Sequence, residues 1–361
     1  NEVVVVGYGV RKKAHMTGAI STISPKEVAD LSTTNLASAL KGQINGVSVT
    51  GGESRPGSAA SLEVRGASAT TAFSSVSGFV PSTSPLYVID DFISSETAFN
   101  NLDASMIENI TVLKDAAAAV YGASAAFGVI LVKTKRGKEG TPKVSYSGQF
   151  GLTDEISRIK MLGAYDYGKI WNGVMGANDP ASTEVADTRK SYFQADELQK
   201  MKSLNYDLLD REWRTGFTQK HSINVSGGSD KANFFGGVSY VTQDGNIGKL
   251  DYNRWNYRAG MDAKINKSLK ASLQVSGDYG NQTNAYSKVG SSTGDNDYDY
   301  LLTHPRYMPD YIEGLGGLAL AGVTNNEKYE AAQLYNYSVI QNLGNYSKSM
   351  NQNMTLNAAL E

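Results

Sequence analysis

Between residues 144 and 360, six segments alternate apolar and polar side chains with a period of two. Val144, Tyr146, Gly148, Phe150 and Leu152 share one parity, with Ser145, Ser147, Gln149 and Gly151 on the other. Residues 221–229, 232–242, 252–264, 269–279 and 349–360 repeat the pattern, blurred in the second of these where Phe234 stands beside Phe235. This period marks strands with two chemically different faces. At nine to thirteen residues, each is long enough for a tilted strand to cross a bilayer. The connections narrow the choice. Asp230-Lys231 and Asn266-Lys267 are dipeptide turns, whereas residues 153–218 and 281–346 form two very long connections. If odd-numbered strands run outward, both long connections lie outside and both dipeptides inside, which is the loop asymmetry of outer-membrane barrels. A soluble β-sandwich also alternates, but it does not predict that parity.

The chain has 361 residues, with 34 basic against 36 acidic. A net charge of −2 excludes the basic footprint of a nucleic-acid binder. No run of 18 apolar residues occurs, so a transmembrane helix is excluded and strands remain the route into a membrane. There is no cysteine, and His15, His221 and His304 are scattered, which removes thiol chemistry and multi-histidine metal sites. Asp90 and Asp91 are adjacent, so an extended backbone sends them to opposite faces and they make a poor catalytic dyad. No other catalytic constellation stands out, and the chain reads as a non-enzyme. Six strands leave an open edge that lipid forbids, so the sequence reads as the N-terminal portion of a larger protein.

Residues before about 140 have a different texture. Val3–Val6 form an apolar run closed by Gly7-Tyr8-Gly9. The stretch lacks the flanking apolar helices of a potassium filter, and the third glycine of a dinucleotide loop is replaced by Lys12. It is either a buried strand or an extended segment that adds to the edge of a partner's sheet. Ser24-Pro25-Lys26-Glu27 opens a helix running to Leu31, and Asn35 caps another that stops at Gly42. Residues 47–49, 62–64, 86–89, 110–113 and 129–134 read as strands, with an Ala-rich helix over Asp115–Tyr121. Interleaved strands and short helices make this a compact α+β domain. Asp295, Asp297 and Asp299 begin like a calcium loop, but the turn glycine and the bidentate glutamate are Tyr300 and Arg306, so an EF-hand is rejected. A solvated acidic loop is the leading reading there, a loose calcium site the lesser one, and no cofactor is called for.

Six ordered motifs in this first part carry a resemblance. They are Glu2-Val3-Val4-Val5-Val6-Gly7-Tyr8-Gly9, Leu40-Lys41-Gly42-Gln43-Ile44-Asn45-Gly46-Val47, Val64-Arg65-Gly66, Pro85-Leu86-Tyr87-Val88-Ile89-Asp90, the run from Val112 to Gly122 that contains Lys114 and Asp115, and Gly128-Val129-Ile130. The chain resembles the SusC/RagA family of TonB-dependent outer-membrane transporters. The resemblance implies an α+β plug domain followed by the start of a large antiparallel transmembrane β-barrel of about 22 strands when complete. It divides the chain into a TonB-box-like leader (1–9), the plug (10–140) and the first barrel strands (141–361), with extracellular loops at 153–218 and 281–346. It implies outer-membrane lipid around the barrel, the plug facing the periplasm, and TonB pulling on Glu2, Val3, Val4, Val5, Val6 and Gly7. It also implies a SusD-like surface lipoprotein as a lid. The cargo it implies is a large nutrient, an oligosaccharide first and a peptide second. A surface receptor or adhesin without energy coupling is the alternative from another class.

Residues are assigned accordingly. Arg65, Gly66, Asp90, Lys114 and Asp115 are plug structural motif positions. Phe73 and Phe79 of the Ser/Thr-rich stretch 67–84, together with Tyr298, Tyr300 and Tyr307 of the second outer loop, are candidates for substrate or lid contact, because a tyrosine ring offers apolar area and a hydroxyl at low entropic cost. Asp91 stands where the family has glycine, so the turn is expected to avoid positive φ.

Overall fold

The computed structural model describes residues 3–6, 9–12, 20–23, 34–51, 55–64, 84–178, 192–285, 297–309, 337–342 and 346–360. β1 (Val3–Val6) and β2 (Gly9–Lys12) form an antiparallel hairpin in which Val3 faces Lys12 and Val6 faces Gly9. One edge of the valine strand is therefore bonded within the chain.

The plug is built on a five-stranded sheet in the order β3 (Ile20–Ile23), β8 (Ile107–Leu113), β9 (Val129–Thr134), β6 (Leu86–Ile89) and β7 (Phe92–Ser94). β6 and β9 pair in parallel and the other neighbours antiparallel. β4 (Val47–Gly51) and β5 (Ala60–Val64) form a separate antiparallel pair. The central strands read as continuous apolar runs because both faces of the sheet are covered. Leu62, Phe99, Ile110, Val112 and Ile130 pack in one cluster, and Val88, Leu113, Val129 and Leu131 in the other. Leu62 and Phe99 are fully buried, each stabilising by about 1.5–3 kcal/mol relative to exposure.

Two short helices close the larger cluster, α1 (Leu36–Ala39) and α2 (Glu96–Asn100). Asn35 caps α1 by accepting from the Ser38 amide at 2.8 Å, satisfying one orphan donor. Residues Asp115–Tyr121 wind as a 3-10 helix that ends at Gly122. The helix expected over residues 24–31 lies outside the described residues.

The turn after β6 departs from expectation. Ile89 pairs with Phe92, so Asp90 and Asp91 are the two turn residues, and both have positive φ, 48° and 73°. They form the primed turn that matches the twist of a two-residue hairpin. Aspartate is among the few residues that enter this region at tolerable cost. Asp91 thus keeps the geometry that glycine would supply, instead of avoiding it.

The second part is one six-stranded antiparallel sheet in which sequential strands are neighbours: β10 (Gly140–Thr153), β11 (Gly216–Gly228), β12 (Ala232–Asp244), β13 (Asp251–Lys264), β14 (Lys270–Ala285) and β15 (Tyr346–Leu360). The sheet does not close. Its two faces are opposite in kind. Thr218, Ser222, Asn224, Ser239, Arg254, Asn256, Arg258, Gln274 and Asp278 are buried toward the plug. On the other parity, Val144, Phe150, Ile223, Val238, Trp255, Met261, Leu273, Met354 and Leu356 are exposed. A polar interior and an apolar outer band are the arrangement of a transmembrane barrel wall.

The long connections are more ordered than loops. The first carries α3 (Ala164–Asn178), α4 (Ala195–Met201) and α5 (Leu208–Glu212), and the second α6 (Asp297–Thr303) and α7 (Tyr337–Asn342). Leu208, Leu209, Ile247, Leu301 and Tyr337 form a buried cluster. That cluster joins both long connections to the short one between β12 and β13, making a single cap at this end of the sheet.

Candidate functional site

The plug meets the wall along a polar seam. At its deepest point Asp90 is 5% exposed and Arg258 of β13 7%. An Arg258 Nη2 to Asp90 Oδ2 ion pair joins them. The Thr134 amide and hydroxyl donate to the same carboxylate at 3.0 and 2.6 Å, and Arg258 also donates to Gln274 at 3.1 Å. The primed turn is what aims Asp90 outward from the plug sheet into the wall.

A second point is centred on Asp103, which caps the short 3-10 turn Ala104–Met106. Lys220 of β11 approaches its carboxylate at 3.1 Å, and Ser222 donates to it at 3.2 Å. Burial pushes the Asp103 carboxyl upward, but the Lys220 ammonium and hydrogen bonds with Ser105 outweigh this and hold it down at about 2. Beside it, Asn224 donates to the Ser105 hydroxyl at 3.1 Å.

The third point is a bridge nearer the cap. Arg254 donates from Nη1 to Asn101 at 2.7 Å and from Nη2 to the Thr34 carbonyl at 2.6 Å. Asn101 in turn donates to Asp278 of β14 at 2.9 Å, and Asn353 of β15 reaches the same carboxylate. Gln243 accepts from the Gly57 amide at 3.3 Å, and Gln282 donates to the Pro56 carbonyl at 2.8 Å. Gly57 has φ +73°, and a Cβ there would lie 2.5 Å from the Tyr252 ring. Only glycine lets the plug loop come this close to the wall.

At its two buried ion pairs the seam thus sets a plug carboxylate against a wall cation, whereas Arg136 meets Asp262 of β13 at 3.5 Å with the signs reversed. Buried ion pairs specify a docking geometry more than they stabilise it, because desolvation offsets much of the attraction, while removing one partner leaves a costly unpaired charge. A contact surface made of polar pairs can also separate and rewet at lower cost than an apolar core.

Of the residues singled out in the sequence, Asp90 stands in the seam. Lys114 is buried in the plug and donates to the Ser21 hydroxyl at 3.2 Å and to the Asn45 carbonyl. Asp115 begins the 3-10 helix. Val3, Val4, Val5 and Val6 are β1. Glu2, Gly7, Arg65, Gly66, Phe73, Phe79 and Asp295 lie outside the described residues. Tyr298 stands edge-on to Trp213, with ring centroids 6.3 Å apart. Tyr300 packs against the cap's apolar cluster, and Tyr307 against Tyr167 and Phe193. Asp297 and Asp299 occupy the first turn of α6, where the helix dipole favours acids. Among the described residues, no three His, Cys, Asp or Glu side chains are placed to share a metal.

The wall's own contribution, Lys220, Arg254, Arg258 and Asp278, was not singled out from the sequence. The signal was present. All four are charges on the inward parity of strands that cross a membrane, where an ionisable residue is functional by default.

Residues 12–129 match the TonB-dependent Receptor Plug Domain family. TonB-dependent receptor SusC of Bacteroides thetaiotaomicron is 30% identical over 304 residues, covering 81% of this chain and 27% of that protein. TonB-dependent receptor P39 of Formosa agariphila is 30% identical over 77% of this chain and 25% of its own length. The chain therefore spans about a quarter of the length of these curated relatives. The RagAB peptide importer in its open-open state superposes with a TM-score of 0.67 at 25% identity, covering 85% of this chain and 35% of that one. The chain thus carries a TonB-dependent receptor plug domain, docked by a polar seam on an outward-apolar barrel wall, and is similar in sequence and architecture to the SusC/RagA-type TonB-dependent transporters.

Proposed function

We propose that this chain supplies the gate of an active importer in the outer membrane of a Gram-negative cell, with the plug facing the periplasm. The observation that carries this is the seam. Asp90 and Asp103 of the plug are each held by a cation of the wall, Arg258 and Lys220, so the plug is docked by bonds that a pull can break one by one. The pull comes from TonB on the leader. A short valine strand with an edge left over from its hairpin suits strand addition, in which main-chain bonds supply the affinity. The cargo is a nutrient too large for an open porin, an oligosaccharide before a peptide, and a SusD-like lipoprotein closes over the capped end of the wall. The solved RagAB relative is a peptide importer, which keeps peptide as the second reading.

Proline separates strand addition from packing. Val5→Pro removes a ladder donor and fixes φ, whereas Val5→Ala leaves the main chain able to bond. In the intact transporter, uptake is expected to collapse for proline and to survive in large part for alanine, with substrate binding unchanged in both. Equal loss from the two substitutions contradicts the proposal.

A further inference from the structure

At the end of the sheet opposite the cap, the turns that join β11 to β12 and β13 to β14 border a cavity of about 260 Å³. That is far above the ~10–15 Å³ one water needs. Four cations line it, Arg136 from the segment that leaves the plug and Lys231, Lys264 and Lys270 from the wall, against two carboxylates, Asp230 and Asp262. Arg136 and Asp262 engage each other at 3.5 Å. The three lysines form no ion pair among the described residues.

The main chain holds these lysines together. Lys264 and Lys270 are direct partners across the β13–β14 ladder, so their side chains leave the same face, with Cβ atoms about 4.5–5.5 Å apart. Lys264 shares the parity of Arg258 and Asp262, which is the lumen side. Its amide donates to the Lys231 carbonyl at 2.7 Å, bringing the neighbouring turn alongside. Like charges placed directly opposite destabilise a strand pair. In the seam, the wall cations Arg258 and Lys220 each meet a carboxylate. Here the three ammoniums outnumber Asp230, the one carboxylate of the lining that Arg136 does not engage.

An occupant of concentrated negative charge resolves the mismatch. A metal cation would be repelled, and an apolar guest would leave the ammoniums unanswered. A carboxylate has two oxygens to share among three ammoniums, whereas a phosphate group offers three strong acceptor oxygens, and lysine serves phosphate as a point charge. Ser272, also in the lining, adds a hydroxyl donor. We propose that this cavity binds one phosphate group, supplied as free phosphate or by the headgroup of an anionic phospholipid. On the import reading it lies at the periplasmic mouth, but binding to the purified protein does not depend on that reading. Arg136 stands between β9 and β10, so a phosphate shared by Arg136 and lysines of two wall turns ties the plug's exit to the wall.

The test uses the purified intact transporter in neutral detergent. One arm titrates inorganic phosphate by phosphorus NMR, with acetate as control; the other reads bound phosphatidylglycerol by native mass spectrometry, with phosphatidylcholine as control. Lys264→Gln together with Lys270→Gln removes two charges and no seam contact, and is expected to weaken binding by at least about tenfold, since charge-assisted contacts are the strong ones. Lys264→Arg with Lys270→Arg is expected to retain binding, and Lys267→Gln, at the turn tip outside the lining, to leave it unchanged. Both lysines are exposed, and heat-modifiable migration reports that each variant keeps a closed barrel. Loss in the phosphate arm alone assigns a free anion, loss in the lipid arm alone a headgroup, and loss in both a site open to either source. No loss in either arm, an equal loss in Lys267→Gln, or acetate binding as tightly as phosphate overturns the site. Failure of the import reading looks different: phosphate binding persists, while uptake ignores Val5→Pro.

Discussion

The plug and the wall use the same residues with opposite insides. In the plug, buried positions are Leu, Ile, Val and Phe around a mixed sheet, as water outside demands. In the wall, the buried side is mostly Ser, Asn, Arg, Gln and Asp, with Phe235 and Val241 among them, and the exposed side is Val, Phe, Trp and Met. A sheet has no hydrophobic interior of its own. Which face turns apolar is decided by what lies beyond it, and here lipid beyond the wall leaves the lumen side free to be polar. The polar lumen is in turn what allows the plug to dock by hydrogen bonds and ion pairs instead of by a second apolar core.

Four variants break or sharpen this contrast. Phe99→Ala empties a fully buried site in the plug and is expected to cost about 3–5 kcal/mol, read as a lower denaturant midpoint for plug unfolding in the intact protein. Val238→Arg places a charge near the middle of β12 on the outer face, where Val238 is 46% exposed. In a bilayer this is expected to cost about 2–4 kcal/mol, whereas a wall facing water would take it without loss. Urea titration in vesicles checks it.

Asp103 gives the seam a pH signature. Its carboxyl is held at about 2 when docked, below the ~3.9 of a free aspartate. A depressed carboxyl contributes stability that is present above the free value and lost as pH falls toward the docked one. Docking is therefore expected to be unchanged from pH 7 to about 5 and to weaken by about 2 kcal/mol as pH falls to about 2, a fall that Asp103→Asn removes. Proteolytic accessibility of the plug against pH measures it. The smallest effect concerns the cap. Under the proposed lid reading, truncating Tyr298 and Tyr300 together to alanine is expected to weaken pull-down of a SusD-like lipoprotein by less than about tenfold, since these rings also pack on Trp213 and the cap's apolar cluster and the main chain around them persists.

Much of this architecture is legible in the sequence because two periods are clean. Parity places Val144, Tyr146, Phe150 and Leu152 together on one face without a structure, and the dipeptide turns orient the strands. The α+β plug follows from apolar runs punctuated by glycine and from the Asn35 cap. Two helices of the long connections are not legible in the sequence: α5 and α6 are five and seven residues long, too short for periodicity to register, and they hold together through Ile247 of a distant turn. Positive φ at Asp91 is hidden by the missing glycine, although aspartate is a second residue that enters that region. The seam was half legible. Asp90 came from a motif, whereas its partner Arg258 lies 168 residues away, a distance that no local pattern spans.

The central claim is that passage requires the plug to part from the wall along this seam. Ser105 and Asn224 face each other across it at 3.1 Å, and these 361 residues contain no cysteine, so Ser105→Cys with Asn224→Cys, compared with each single variant, introduces a reducible tether between plug and wall. Uptake of labelled oligosaccharide by cells carrying the intact double variant should fall to about a tenth or less when the disulfide forms, as confirmed on a non-reducing gel, and return when a reductant is added. Undiminished uptake with the disulfide fully formed would contradict the account.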